Sequence, residues 1–206
     1  MHKPDEPPLL VASRSRIRAQ LLENAGLMIE TAPADLDEAS MLKAMALDDD
    51  SVTPEDAAQI LASAKALHMS QSNAGRLVLG ADQTLSFASE IHQKPKDMDA
   101  ARRRLLSYSG KTHHLHSAAA LVRDGQVIWE TVDTADLTMR DLSPGFVGRY
   151  LSACGDAALQ SVGCYQLEGL GAHLFKEIRG DYFTILGLPL LPLLDALRQE
   201  GMIDSA

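Results

Sequence analysis

Short apolar runs alternate along this chain with stretches in which apolar residues recur every three or four positions, and that alternation predicts its elements. Leu9 to Ala12 reads as a strand, Ser13, Arg14 and Ser15 as a polar turn, and Ile17, Leu21, Leu22 and Ala25 as one face of a helix that stops at Gly26. The same grammar returns at Leu77 to Ala81, an apolar run ending on Asp82 and Gln83, with a second candidate strand from Thr84 to Ala88. A carboxylate is therefore expected at a strand end. Thr53, Pro54, Glu55 and Asp56 have the composition of a helix start, with a capping hydroxyl, proline at the first position and acids against the positive end of the helix dipole. That helix is expected to run to about His68. Asp97 to Tyr108 reads as an amphipathic helix stopped by Gly110, and Asp124-Gly125 as the turn of a hairpin between His113–Val122 and Val127–Thr138. Ser143-Pro144 opens a helix that Gly155 closes, and a last helix spans about Pro189 to Gly201. Strands interleaved with helices around one antiparallel hairpin make an α/β protein.

Composition narrows what such a fold can do. With 206 residues, 46% of them apolar, the chain can bury a large core, as one domain or as two lobes packed without a linker. Residues 1–8 are rich in proline and charge and are expected to form a flexible tail. No apolar run near the start suits a signal peptide or a membrane span, so a cytoplasmic protein is expected. Cys154 and Cys164 lack the count and spacing of a zinc site and fit a reducing compartment. A net charge of −9 argues against binding nucleic acid backbone, which needs broad positive surface. A small polyanion stays open, because a few Lys and Arg focused in one cleft with a divalent cation outweigh an acidic exterior.

Several motifs fail on inspection. Ser109-Gly110-Lys111-Thr112 ends like a phosphate-binding loop, but Leu105 stands where the first glycine belongs. Gly169 and Gly171 begin a dinucleotide fingerprint that Leu174 ends. His113, His114 and His116 lack further ligands at metal spacing and read as a solvated strand surface, and Arg102 to Arg104 read as a solvated helix face. The segment Ser13-Arg14-Ser15-Arg16-Ile17-Arg18 survives: free N–H groups, hydroxyls and arginines at a helix start suit a triphosphate, although an ordinary capped helix start fits the residues equally well.

The wider text decides between these readings. Leu9-Leu10-Val11-Ala12-Ser13-x-Ser15-x-x-Arg18-x-x-Leu21-Leu22 resembles the opening of the Maf family of nucleotide pyrophosphatases. The resemblance continues in order through Asp37-Glu38, Leu61-Ala62-Ser63-Ala64-Lys65-Ala66, Gly80-Ala81-Asp82-Gln83, Lys94-Pro95, Ser109 to His113 and Gly187-Leu188-Pro189. It implies a mixed, curved sheet flanked by helices, with two lobes enclosing a nucleotide cleft, and often a homodimer. It also implies hydrolysis between the α and β phosphates of a modified or non-canonical nucleoside triphosphate, with Mg²⁺ or Mn²⁺. Asp82 then resembles the family's proton acceptor and Glu38 its partner at the metal, while Arg18, Lys65 and Lys94 resemble phosphate clamps and Ser13 and Ser15 lie by the phosphates. Without the resemblance, Lys65 and Lys94 read as surface lysines and Asp82 as a cap on the turn after its strand.

Departures from the family pattern bear on the base. One of two adjacent arginines is replaced by Ile17, and a later block reads Ser161-Val162-Gly163-Cys164-Tyr165 with Leu167-Glu168-Gly169, lacking the usual lysine and glutamine. Gln83 stands where the branch acting on dTTP and UTP often has threonine. Gln83 with Glu168 is similar to the branch preferring 7-methylguanosine triphosphate, because a carboxylate can accept from N1–H and the exocyclic amine of guanine and favours the charge of N7 methylation. Ile17 does not supply the tryptophan that this branch often places against the base, and Glu168 also reads as a structural carboxylate. The competing functions are a dTTP and UTP pyrophosphatase, and a non-catalytic nucleotide-binding regulator of cell division, since the family is associated with septum formation.

Overall fold

Residues 1–48 and 52–204 are described by the computed structural model. The apolar run Leu9–Ala12 forms β1, buried along its length, and Arg16–Asn24 forms α1, whose N-terminal Ser15 accepts a hydrogen bond from the Arg18 N–H. Ile29–Thr31 is β2 and Glu38–Asp48 is α2. Pro54–Ser70 is α3, started by a capping box in which Thr53 and Asp56 satisfy each other's backbone N–H. Val78–Phe87 is β3, Glu90–His92 β4 and Met98–Tyr108 α4. The expected hairpin forms from β5 (Thr112–Arg123) and β6 (Gln126–Met139), with Asp124 and Gly125 both at positive φ. Pro144–Cys154 is α5, capped by Ser143; Phe175–Arg179 is β7, Tyr182–Ile185 the short α6, and Leu190–Gln199 α7.

The strands make one mixed sheet in the order β2-β1-β3-β5-β6-β7, with β4 added beside β3. β1 runs parallel to β2 and β3, and the other pairings are antiparallel. The expected α/β class, a mixed sheet flanked by helices, is therefore found. The two largest buried apolar clusters among the described residues form two cores on this sheet. One joins β1 and the first half of β3 to α1 and α7 through Leu9, Val11, Leu22, Leu79, Leu193 and Leu197. The other joins the second half of β3 to α4 and α5 through Leu85, Leu105, Tyr108, Leu137 and Leu151.

Asp82 does not end a strand. The ladder from β3 to β5 runs from Val78 opposite Val122 to Ser86 opposite His114, so the two candidate strands around Asp82 are one. What stops is pairing on the other edge: β1 covers Val78 to Gly80 and β4 covers Leu85 to Phe87, leaving Ala81 to Thr84 without a strand beside them. The polar residues of this stretch mark a gap in the sheet edge rather than a turn.

Other expectations change as well. β5 is central and covered on both faces, so His113 and His116 are 0% and 3% exposed instead of solvated. His116 Nε2 lies 2.8 Å from Ser86 Oγ and its Nδ1 2.9 Å from Thr134 Oγ1, while His113 Nε2 lies 2.7 Å from Tyr165 OH. Within the arginine triplet, Arg102 and Arg103 are exposed, but Arg104 is half-buried and bonded to two carbonyls. Residues 1–8, expected as a free tail, begin against the far end of the chain: Lys3 N–H donates to Met202 O and Asp204 N–H to Met1 O, with His2 bridged to Ile203. Among the described residues no helix is long and apolar enough to cross a membrane.

Candidate active site

The carboxyl ends of β1 and β2 and the unpaired edge of β3 open on one side of the sheet, the position where open α/β sheets hold ligands. A cavity of about 1160 Å³ lies there, between the two cores. Ser13, Ser15, Arg18, Glu38, Lys65, Asp82, Gln83, Lys94 and Glu168 all line it.

Period-2 alternation puts Gly80, Asp82 and Thr84 on one face of β3, toward α3. Gly80 lets the helix close on the strand, since a Cβ there would lie 2.0 Å from the carbonyl oxygen of Ala62. Thr84 Oγ1 donates to Pro54 O at 2.8 Å and fixes the start of the same helix. Between these two anchors α3 delivers Lys65, 7% exposed, to Asp82, 8% exposed. Lys65 Nζ is 2.5 Å from Asp82 Oδ1 and 2.9 Å from Glu38 Oε1, so one ammonium holds a carboxylate from β3 and another from the start of α2. Burial pushes the Asp82 carboxyl above the usual range, while Lys65 and Arg18 pull it down and Glu38 pushes it up.

Arg18 closes the gap in the sheet edge. Its Nη1 donates to Ala81 O at 2.9 Å and to Ser13 Oγ at 3.3 Å, and its Nε donates to Gly187 O at 2.6 Å. Burial lowers its pKa and the charges of Asp82 and Glu38 oppose that, so it adds a fixed cation behind Asp82. Its bonded donors are spent on protein groups, a wall role more than the open clamp expected of it. At the start of α1, the N–H groups of Arg14, Arg16 and Ile17 have no acceptor among the described residues, and the side chains of Arg14 and Arg16 are exposed at the cavity.

Gln83 faces the other way. Its Nε2 donates to Ser117 Oγ, Thr184 O and Ile185 O at 2.9 to 3.1 Å. Two of these partners are carbonyls that only accept, which fixes the amide orientation and leaves Oε1 as the group free to meet a ligand. Lys94 and Glu168 are exposed on two segments that line the cavity, and no hydrogen bond or ion pair joins either to the Lys65 cluster among the described residues. Residue types alone did not mark Gln160, Ser161 and Gln166, which also line the wall. The turn they occupy is signalled only by Gly163 before Cys164, whose φ is +62°.

The Maf family pattern, described as Maf-like protein, matches residues 8–200. The 7-methyl-GTP pyrophosphatase of Brucella suis biovar 1 (strain 1330) is 56% identical over 197 residues, 96% of this chain and 98% of its own length. That of Mesorhizobium japonicum is 55% identical over the same shares. A nucleoside triphosphate pyrophosphatase of Nitrobacter winogradskyi is 49% identical over 96% of each chain. Among solved structures, a HAM1 protein from Coxiella burnetii aligns over 64% of this chain and 72% of its own, with a TM-score of 0.40 and 15% identity. On the extent of the family match and of these identities, the chain belongs to the Maf family.

Proposed function

We propose that this chain is a metal-dependent nucleoside triphosphate pyrophosphatase that splits the bond between the α and β phosphates and prefers 7-methylguanosine triphosphate. The observation that carries the reading is the buried Asp82 held by Lys65 at the floor of a cavity large enough for a nucleotide and its water. A carboxyl raised by burial is a stronger proton acceptor than an exposed one, and the ammonium beside it neutralises charge that grows on the phosphoryl oxygens.

In this mechanism a water oxygen bonds to the α phosphorus, its proton passes to Asp82, and the bond to the bridging oxygen of the β phosphate breaks, releasing pyrophosphate. Lys65 and the Arg18 charge stabilise the transition state, and the free N–H groups and arginines at the start of α1 receive the phosphate chain. Glu38 and Asp82 are hard oxygen donors, and among the described residues they belong to no cluster of three or more His, Cys, Asp or Glu. Two carboxylates suit Mg²⁺ or Mn²⁺, which take their remaining ligands from substrate phosphates and water, and the ion would supply further positive charge at the reacting phosphoryl group. Glu168 accepts from the N1–H and amine of guanine, Gln83 Oε1 adds a second acceptor, and the carboxylate favours the methylated, cationic ring. The names of the Brucella and Mesorhizobium relatives support the same base.

The test is pyrophosphate release from 7-methyl-GTP, GTP, dTTP and UTP with Mg²⁺ and with Mn²⁺. The highest kcat/KM is expected on 7-methyl-GTP, with a nucleoside monophosphate as the second product. A preference for dTTP or UTP would refute the base assignment, and release of single phosphate would refute the reaction.

A further inference from the structure

We propose that Arg104, on α4 and outside the cavity, is a specificity-determining positioning residue whose guanidinium sets the spacing between the Lys94 wall and the Glu168 wall. The inference rests on the nucleotide reading of the cavity given above.

Arg104 Nη1 donates to Gln93 O and, at 2.8 Å, to Val162 O. Gln93 and Val162 both line the cavity; Arg104 does not. Gln93 immediately precedes Lys94, and Val162 opens the turn that leads to Glu168. One nitrogen thus joins the wall assigned to the phosphates to the wall assigned to the base.

The remaining anchors act within one wall or through the aromatic core, where Tyr108 stacks on His113. Ser161 Oγ donates to Tyr165 O and accepts from Tyr165 N–H, closing the turn on itself, and Tyr150 OH donates to Cys164 O. Tyr165 OH meets His113 in the core. On the opposite wall, His92 Nδ1 lies 2.6 Å from Tyr108 OH, one turn along α4 from Arg104. Helix α4 therefore references both walls, one through Tyr108 and the other through Arg104.

Discrimination between bases requires both ends of the nucleotide to be gripped at once in the transition state. Loss of the Arg104 link leaves Asp82, Lys65 and Glu38 untouched, because none of them bonds to either wall. It lets the base end drift relative to the phosphate end. A purely structural Arg104 would instead lower the active fraction and scale down every substrate alike.

The experiment compares Arg104→Met, which keeps the stem and removes the donors, with Arg104→Lys, whose single nitrogen can still donate to both carbonyls. Steady-state kinetics on 7-methyl-GTP and dTTP are read beside melting temperatures. In Arg104→Met the ratio of kcat/KM for the two substrates should fall at least tenfold, mainly through KM on 7-methyl-GTP. In Arg104→Lys the ratio should stay within threefold of the parent. An equal loss on both substrates, or a lysine variant as altered as the methionine one, overturns the proposal. Absence of triphosphate hydrolysis in the parent protein would overturn the reading of the cavity itself, a result distinct from an active parent whose selectivity ignores Arg104.

Discussion

Replacing Gly80 by alanine adds one methyl group at the point where α3 meets β3. The new carbon would stand 2.0 Å from Ala62 O, 2.8 Å from Ala66 N and 2.9 Å from Ala66 Cβ, all in the middle of the helix. Ordinary contact requires the backbones to part by about 1.4 Å at the carbonyl. Neither element yields easily, because α3 is held at its start by the Thr84 hydroxyl and β3 is central in the sheet. Overpacking of this kind costs about 1–3 kcal/mol, which in a chain of this size lowers Tm by roughly 3–10 °C. The same movement carries Lys65 away from Asp82, and a displacement near 1 Å at a reacting centre costs about 10²-fold in rate. Urea unfolding and pyrophosphate release, measured on one preparation, report both effects. A Gly80→Ala protein with unchanged Cm and unchanged kcat would refute the claim that this glycine sets the helix against the strand. Lost stability with full kcat would refute the coupling of that contact to catalysis.

Two further outcomes follow from the charges. Lys65→Met removes the cation between Asp82 and Glu38 and should destabilise the chelator-treated protein by about 3 kcal/mol, the lower end for a broken buried pair because Glu38 is half exposed. Mn²⁺ should restore more of that loss than it adds to the parent protein, and equal shifts in a thermal titration would count against the two carboxylates as cation ligands. Burial holds the His113 pKa down to about 3, below the unfolded value of 6.5, so between these limits the unfolded chain binds more protons and stability falls as pH falls. From pH 7 to pH 5 the parent should therefore lose about 2 kcal/mol more than His113→Gln; matching losses in urea titrations would show that His113 is not the group responsible.

Much of the fold was legible because local rules agreed with the tertiary outcome. Thr53-Pro54-Glu55-Asp56 caps its helix as written, Asp124-Gly125 makes its hairpin, and Leu9 to Ala12 is a buried parallel strand. Three features were not legible. The apolar residues of α2 fall on all sides of a helical wheel and give no stripe to read. The short β4 and β7 owe their existence to neighbours already in the sheet. The strand through Asp82 looked broken because polar side chains follow the aspartate, whereas the break lies only in pairing along one edge. In the site, residue order named candidates that the fold gathers around one cavity, but not that Lys65 spans two carboxylates or that the bonded donors of Arg18 are turned onto the protein. Both facts depend on contacts between residues far apart in sequence, as does the link from Arg104 to Val162.

In the proposed reaction Asp82 accepts the proton, and Asp82→Asn tests that role with almost no change of shape. Single-turnover pyrophosphate release from 7-methyl-GTP should fall by at least about 10²-fold, the usual worth of a positioned proton acceptor, in a variant that its melting curve shows to be folded at the assay temperature. Release within a few fold of the parent rate would contradict the account.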